Sequence, residues 1–185
     1  MTRVFISCDS SARSVGADEV ADAIRSFALR DGHDVEVVRT GSRGMFWLEP
    51  YVEVETARGR IGYGNVTVDD IRHMMNIGML DGRPLANSIG IADEYPWLAQ
   101  QHRVTFARMG IVDPTSLADY EMHGGLAGLR AALAMQPSQI VDEVAASGLR
   151  GRGGAGFSAG VKWRTVLEAA GDTQYICCNA EIGRA

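Results

Sequence analysis

Apolar positions along the chain fall into short runs with two different periods. Val4-Phe5-Ile6 is long enough for a buried strand, and the polar stretch from Cys8 to Ser14 reads as a loop. From Gly16 to Arg30 the period becomes helical. Val20, Ile24, Phe27 and Ala28 share one face, and Asp31-Gly32 ends the helix. Asp34–Arg39 is a second strand. After the turn-rich TGSRG, YVEVET alternates with period two and predicts a third strand, and Arg60–Tyr63 returns after the Arg58-Gly59 turn. Thr67 with Asp70 three residues on is an N-terminal cap for a helix carrying Ile71, Met74 and Met75.

The order strand, helix, strand, hairpin, helix predicts an α/β, thioredoxin-like domain over residues 1–80. Residues 81–136 read as a connector with helices: DGRPLANSIGIADEYPW is loop-rich, and turn signals follow at Asp113-Pro114 and Gly124-Gly125. From residue 137 the pattern predicts a helix capped by Ser138 with Ile140, Val141, Val144 and Ala145 on one face, stopping at Gly148. A glycine loop comes next, then a second helical face of Trp163, Val166, Leu167 and Ala170, then a strand over residues 175–178.

Composition adds exclusions. The chain has 185 residues, is 46% hydrophobic and carries a net charge of −5, which speaks against a nucleic-acid surface on the scale of the whole chain. No apolar run approaches the roughly 20 residues of a membrane helix, and MTRVFISCDSS is too polar for a secretory signal. Cys8, Cys177 and Cys178 are odd in number with two adjacent, so no disulfide framework is expected, and a reducing cytoplasm is the simple reading.

The candidate chemistry lies in SGLRGRGGAGFSAGVKW, residues 147–163. Gly151, Gly153 and Gly156 match G-x-G-x-x-G literally, but the motif follows a helix instead of a strand, and no Gly-Lys-Ser/Thr makes it a P-loop. Glycines let backbone N–H groups approach a flat or anionic ligand, and the helix that follows turns its positive end to the loop. No acidic residue occurs between Glu143 and Glu168, while Arg150, Arg152, Lys162 and Arg164 supply positive charge. A phosphorylated ligand fits that inversion; a flexible loop with solvated arginines is the competing reading.

RGRGGAGFSAGVKW followed by a strand and Cys-Asn-Ala resembles the NADH-binding flavoprotein subunit of respiratory complex I and its relatives among NAD-dependent formate dehydrogenases and NAD-reducing hydrogenases. RMGIVDP at 108–114 and Tyr120 through Gly124-Gly125 resemble the family's approach to its flavin domain, so the likeness covers roughly residues 100–181. TGSRGMFWLEPYVEVET is most similar to the formate dehydrogenase beta subunit. The resemblance implies that 137–185 is the truncated start of an FMN/NADH-binding α/β domain. It places Gly151, Arg152, Gly153, Gly154, Ala155, Gly156 and Gly160 against the cofactors, Phe157 on the nicotinamide nucleotide, Lys162 beside FMN, and Asn179 and Glu181 at the strand end. For Phe157 a core aromatic at a helix start is the bland alternative. Trp163 reads as core, and Cys177 and Cys178 as strand packing.

Further implications concern partners and clusters. Electrons would pass between NAD, FMN and iron–sulfur clusters, in a complex with an iron–sulfur gamma subunit and a metal-containing alpha subunit. The family's [4Fe–4S] cysteines would lie only beyond residue 185, so the chain reads as the N-terminal portion of a longer subunit, weak or inactive in isolation. Thioredoxin-like [2Fe–2S] domains need four thiolates, and the matching positions here are Cys8, Arg13, Ser42 and Phe46, which cannot hold a cluster. The domain is then a degenerate copy kept for docking. His73, His102 and His123 show no ligand spacing and receive no role. Ile182, Arg184 and Thr165 depart from the family pattern. A non-catalytic docking module, or the equivalent subunit of complex I or a hydrogenase, are the alternatives.

Overall fold

Strand β1 (Thr2–Ser7) lies between β2 (Val35–Thr40), to which it is parallel, and β3 (Val52–Thr56), to which it is antiparallel. This computed structural model describes residues 1–171, 173 and 175–177. β4 (Gly59–Tyr63) and β5 (Ser88–Ile91) extend the sheet by antiparallel pairing, giving the order β2-β1-β3-β4-β5. Helices α1 (Ser10–Ser14) and α2 (Ala17–Asp31) connect the parallel pair, and α3 (Val68–Asn76) follows the β3–β4 hairpin. A parallel β-α-β unit joined through its first strand to an antiparallel hairpin and a helix is the thioredoxin-like arrangement. Contacts gather the chain into two compact units, Met1–Gly125 and Leu126–Ala185.

The pairing explains why β1 is a continuous apolar run. As a central strand it is covered on both faces, so Val4, Phe5 and Ile6 are all buried. Val4 and Ile6 join Val52 and Val54 against Val20, Ala21, Ile24 and Ala28 of α2 and Ile71, Met74 and Met75 of α3. α2 begins after Gly16 and ends at Gly32, both in the left-handed region that favours glycine. Thr67 and Asp70 form the expected reciprocal capping box: Thr67 N donates to the Asp70 carboxylate at 3.1 Å.

The opposite face of the sheet is polar and nonetheless covered. Glu53, between Val52 and Val54 on β3, is 2% exposed. Arg43, from the loop after β2, grips it with two bonds, Nε to Oε1 at 2.8 Å and Nη2 to Oε2 at 3.0 Å, and spends Nη1 on Asp93 at 2.9 Å. Arg60 on β4 approaches the same carboxylate at 3.5 Å and lies 3.4 Å over the Phe5 ring. It also donates to the carbonyls of Gly110 and Ile111 at 3.1 and 3.3 Å, so the loop 101–111 folds back over this face. Burial works against charge on Arg43, but the Glu53 carboxylate outweighs it and holds the guanidinium more basic than usual.

Three local expectations change. Cys8–Ser14 is not all loop: Asp9 accepts from Ala12 N at 2.9 Å and caps α1. The connector after residue 81 contains β5, a 3-10 turn at Ala92–Glu94, and α4 (Pro96–Ala99), whose Leu98 packs with Met45 and Tyr51 in a second small core. α5 (Leu117–Met122) completes this unit's helices. The second unit has α6 (Ala127–Leu133), α7 (Pro137–Ala146) and α8 (Ala159–Glu168). Gln136, not Ser138, caps α7, because Pro137 takes the first helical position and Gln139 returns its side chain to Gln136 N at 2.8 Å.

Candidate functional site

The glycine segment is a loop with pinned ends. Arg150 and Ser158 form an isolated antiparallel bridge; Gly151 N donates to Phe157 O at 2.8 Å, and Ala159 N to Leu149 O at 2.9 Å. Arg150 Nε also donates to Gly156 O across the loop. Ser158 caps α8, accepting from Val161 N at 3.4 Å, so the helix begins where the loop closes. That sets the N-terminal end of a ten-residue helix beside the glycines.

The glycines divide by cause. Gly154 and Gly156 have φ of 110° and 59°, which side-chain-bearing residues rarely adopt. Gly160 allows close packing: a Cβ there would lie 2.5 Å from Ala145 Cα and 2.7 Å from Ala145 Cβ, so α8 rests on α7 through this position. Gly151 and Gly153 have neither reason. A Cβ at Gly151 would meet only ordinary contacts at 3.7 Å, and at Gly153 nothing lies within 4 Å. Open space over residues that need no left-handed backbone is what a close-lying ligand would use.

The four cations also separate. Arg164 is paired with Asp142 at 2.6 Å, and Arg150 is tied to the loop's main chain. Arg152 and Lys162 are exposed and have no partner among the described residues. Ala155 lies exposed in the same loop, and Phe157 is 53% exposed, so it is not a core aromatic. Trp163, expected in the core, is 50% exposed. Val166 and Leu167, expected on a buried face, are exposed too, since α8 meets α7 through Gly160, its only buried residue.

The strand expected at 175–178 is not formed over its described residues, 175–177. Tyr175, Ile176 and Cys177 lie in no strand and are exposed; a strand needs a neighbour for its main-chain groups, and none pairs with them among the described residues. Cys177 is therefore not packed. Cys178, Asn179, Glu181, Ile182 and Arg184 lie outside the described residues.

The other expected positions lie in the first unit. Cys8 is half-buried after β1, Ser42 is buried and accepts from Gly44 N at 2.9 Å, Arg13 pairs with Asp18 at 2.8 Å, and Phe46 is exposed. Among the described residues, no group of three or more His, Cys, Asp or Glu side chains is placed to hold a metal, and no helix is long and apolar enough to cross a membrane.

Beside these positions is a group that sequence reasoning missed. Glu49, 9% exposed, accepts from Tyr51 N at 2.9 Å. The Tyr51 hydroxyl is buried without a hydrogen-bond partner among the described residues. The only sequence signal was a carboxylate set directly before proline within an apolar run.

No protein-family model matches the chain. Among curated proteins it is 45% identical over 84 residues to the NADP-reducing hydrogenase subunit HndC of Solidesulfovibrio fructosivorans, covering 45% of this chain and 17% of that protein. It is 47% identical over 81 residues to an NADH-quinone oxidoreductase subunit of Rhizobium meliloti, covering 43% and 19%. It is 47% identical over 51 residues to the NAD-reducing hydrogenase HoxS subunit alpha of Cupriavidus necator, covering 28% and 8%. The chain thus spans less than a fifth of the length of these relatives. A solved thioredoxin-like [2Fe-2S] ferredoxin from Aquifex aeolicus is 18% identical, with a TM-score of 0.44 over 52% of this chain and 96% of that one. The sheet order itself identifies the fold.

Proposed function

We propose that the chain is part of an NAD-linked electron-transfer flavoprotein subunit, and that the loop at 151–157 forms one wall of its FMN and NADH site. The single observation that carries this is the open space over Gly151 and Gly153, flanked by Arg152 and Lys162 without partners among the described residues. The relatives support the same class, since their names describe subunits that handle NADH, NAD or NADP.

FMN, when bound, supplies the exchange between two-electron hydride and one-electron carriers. This chain's residues would hold it. Main-chain N–H groups at 152–154 and the start of α8 would face anionic oxygens, Arg152 and Lys162 would neutralise phosphate, and Phe157 offers a half-exposed ring for stacking. Ala155 and Gly156 complete the loop, Gly160 sets α8 at its edge, and Asn179 and Glu181 are assigned to the same site. The finer reading is a soluble, cytoplasmic formate dehydrogenase, in which this subunit exchanges electrons with an iron–sulfur gamma subunit while formate is oxidised on a metal-containing alpha subunit. That choice rests on the resemblance of TGSRGMFWLEPYVEVET to the formate dehydrogenase beta subunit, whereas the names of the relatives describe the equivalent subunits of hydrogenases and of an NADH-quinone oxidoreductase. A [4Fe–4S] cluster would belong to sequence outside this chain.

The test is a titration of FMN with the chain at low salt, followed by flavin fluorescence. Saturable quenching with a dissociation constant on the order of 0.1–1 mM is expected, because phosphate contacts alone hold the ligand. Fluorescence unchanged at millimolar protein would overturn the reading.

A second reading has its own observation. One cysteine and three non-thiolate residues at Cys8, Arg13, Ser42 and Phe46 leave the first unit without a ligand set, which favours a docking role. A sample that binds a partner subunit yet shows no NADH–ferricyanide activity would favour it.

A further inference from the structure

Glu49 closes the 3-10 turn Phe46–Leu48, donating its own N–H to Phe46 O at 3.3 Å, while its side chain turns inward. It lines a cavity of about 10 Å³ with Phe5, Ser7, Thr40, Gly41, Arg43, Tyr51 and Glu53, room for one water at most. The hydrogen bond its carboxyl accepts comes from Tyr51 N.

Charged groups face it from several elements. Asp9, after β1, has burial working against its charge, but bonds from Ser11, Ala12 N, Ser7 and Ser42 prevail and hold its carboxyl below the usual range. Glu53 on β3 carries the two guanidinium partners already described, from Arg43 and from Arg60 on β4. Arg43 lines the cavity as well, but both its edges are committed, to Glu53 and Asp93. An ionised Glu49 would therefore be a third carboxylate with no cation of its own. Burial first, and then Asp9 and Glu53, outweigh the Tyr51 N–H and push Glu49 up to about 7.

The turn that Glu49 closes has its aromatic side chains outside. Phe46 and Trp47 are exposed, and Trp47 meets Trp97 of α4 edge to face, with ring centres 5.2 Å apart and planes at 87°. Only Leu48 faces the small core, close over Gly64. We propose that Glu49 is a proton-operated latch, whose neutral carboxyl seats the Phe46–Leu48 turn and whose ionised form releases it and parts the Trp47–Trp97 pair. This device is independent of the flavin reading, since it lies wholly in the first unit.

The sign follows from linkage. The folded state binds more protons than the unfolded one between the ordinary carboxylate value and about 7, so the stability held by neutral Glu49 is full below about pH 4.5 and lost as pH rises to about 7.

The experiment uses the full chain with Trp163→Phe, leaving only the paired tryptophans. Near-ultraviolet circular dichroism and tryptophan emission are followed from about pH 5 to about pH 9. A single one-proton transition with its midpoint near 7 is expected, with loss of the pair's dichroism and emission at longer wavelength on the alkaline side. Glu49→Gln should remain in the acid form throughout. A transition that survives in Glu49→Gln belongs to a group other than Glu49 and overturns the proposal, as does a wild-type trace without a transition. The 13C carboxyl resonance of Glu49 in the parent chain decides the matter should the variant not fold: a midpoint near 7 supports the latch, and one near 4–5 refutes it.

Discussion

Replacing Glu53 by alanine is expected to cost the first unit about 3–5 kcal/mol, read as a lower urea midpoint at unchanged slope. Glu53 is the shared anion of two guanidinium groups, and the Arg43 side chain is itself only 8% exposed. Without it, Arg43 keeps one bond to Asp93, a residue largely in solvent, and faces Arg60 with no charge between them. The loop 101–111 depends on the same cluster: Arg60 holds the Gly110 and Ile111 carbonyls, and a Cβ at Gly110 would strike the Arg43 side chain. Removing the anion therefore exposes the polar face of the sheet as well as leaving charge unpaired. Exchanging the pair together, Arg43→Met with Glu53→Leu, should recover the part of the loss that comes from Arg43, because an ion pair's attraction mainly offsets its own desolvation, while Arg60 stays without its carboxylate. A loss below about 1 kcal/mol for Glu53→Ala would mean that water reaches the cluster.

The alternation in YVEVET correctly gave two faces to β3, but period two says nothing of what covers each face. Nothing in YVEVET marks Glu53 as buried, because the arginines that bury it come from β4 and from the loop after β2. The apolar triplet of β1, the single face of α2 and the Thr67–Asp70 box were legible because each is decided within one turn or one strand. α1 was missed, since Ala12 is its only buried residue and its signal was Asp9 as cap. β5 was missed because Gly90 interrupts it at φ 80° and its pairing with β4 slips at Gly62/Tyr63. The stripe of Trp163, Val166 and Leu167 was read as buried because an apolar period marks a face without supplying its partner. In the glycine loop, the residues were legible and their separate causes were not. Sequence cannot distinguish a glycine that avoids Ala145 from one that faces open space.

That distinction is directly testable in a pair of variants. Gly160→Val is expected to destabilise the second unit by about 1–3 kcal/mol, since the added carbons meet the Ala145 main chain, which has no flexible end to move aside. Gly153→Val should leave folding within about 0.5 kcal/mol of the parent, because its Cβ enters empty space at an ordinary backbone angle. Its effect should fall on the ligand. A side chain over the loop keeps a phosphate or flat ring from the main-chain N–H groups, and FMN quenching should weaken at least about tenfold, a loss of roughly 1.4 kcal/mol. Far-ultraviolet dichroism during urea unfolding measures the first quantity and the fluorescence titration the second. Were Gly153→Val to bind FMN as the parent does, the open space above it would be plain solvent, and the phosphate-cradle reading of this loop would fail. Were it instead to unfold the unit, the loop would close further over that space in solution, and binding would have to be sought on the α7–α8 groove beside Gly160, Arg164 and Thr165.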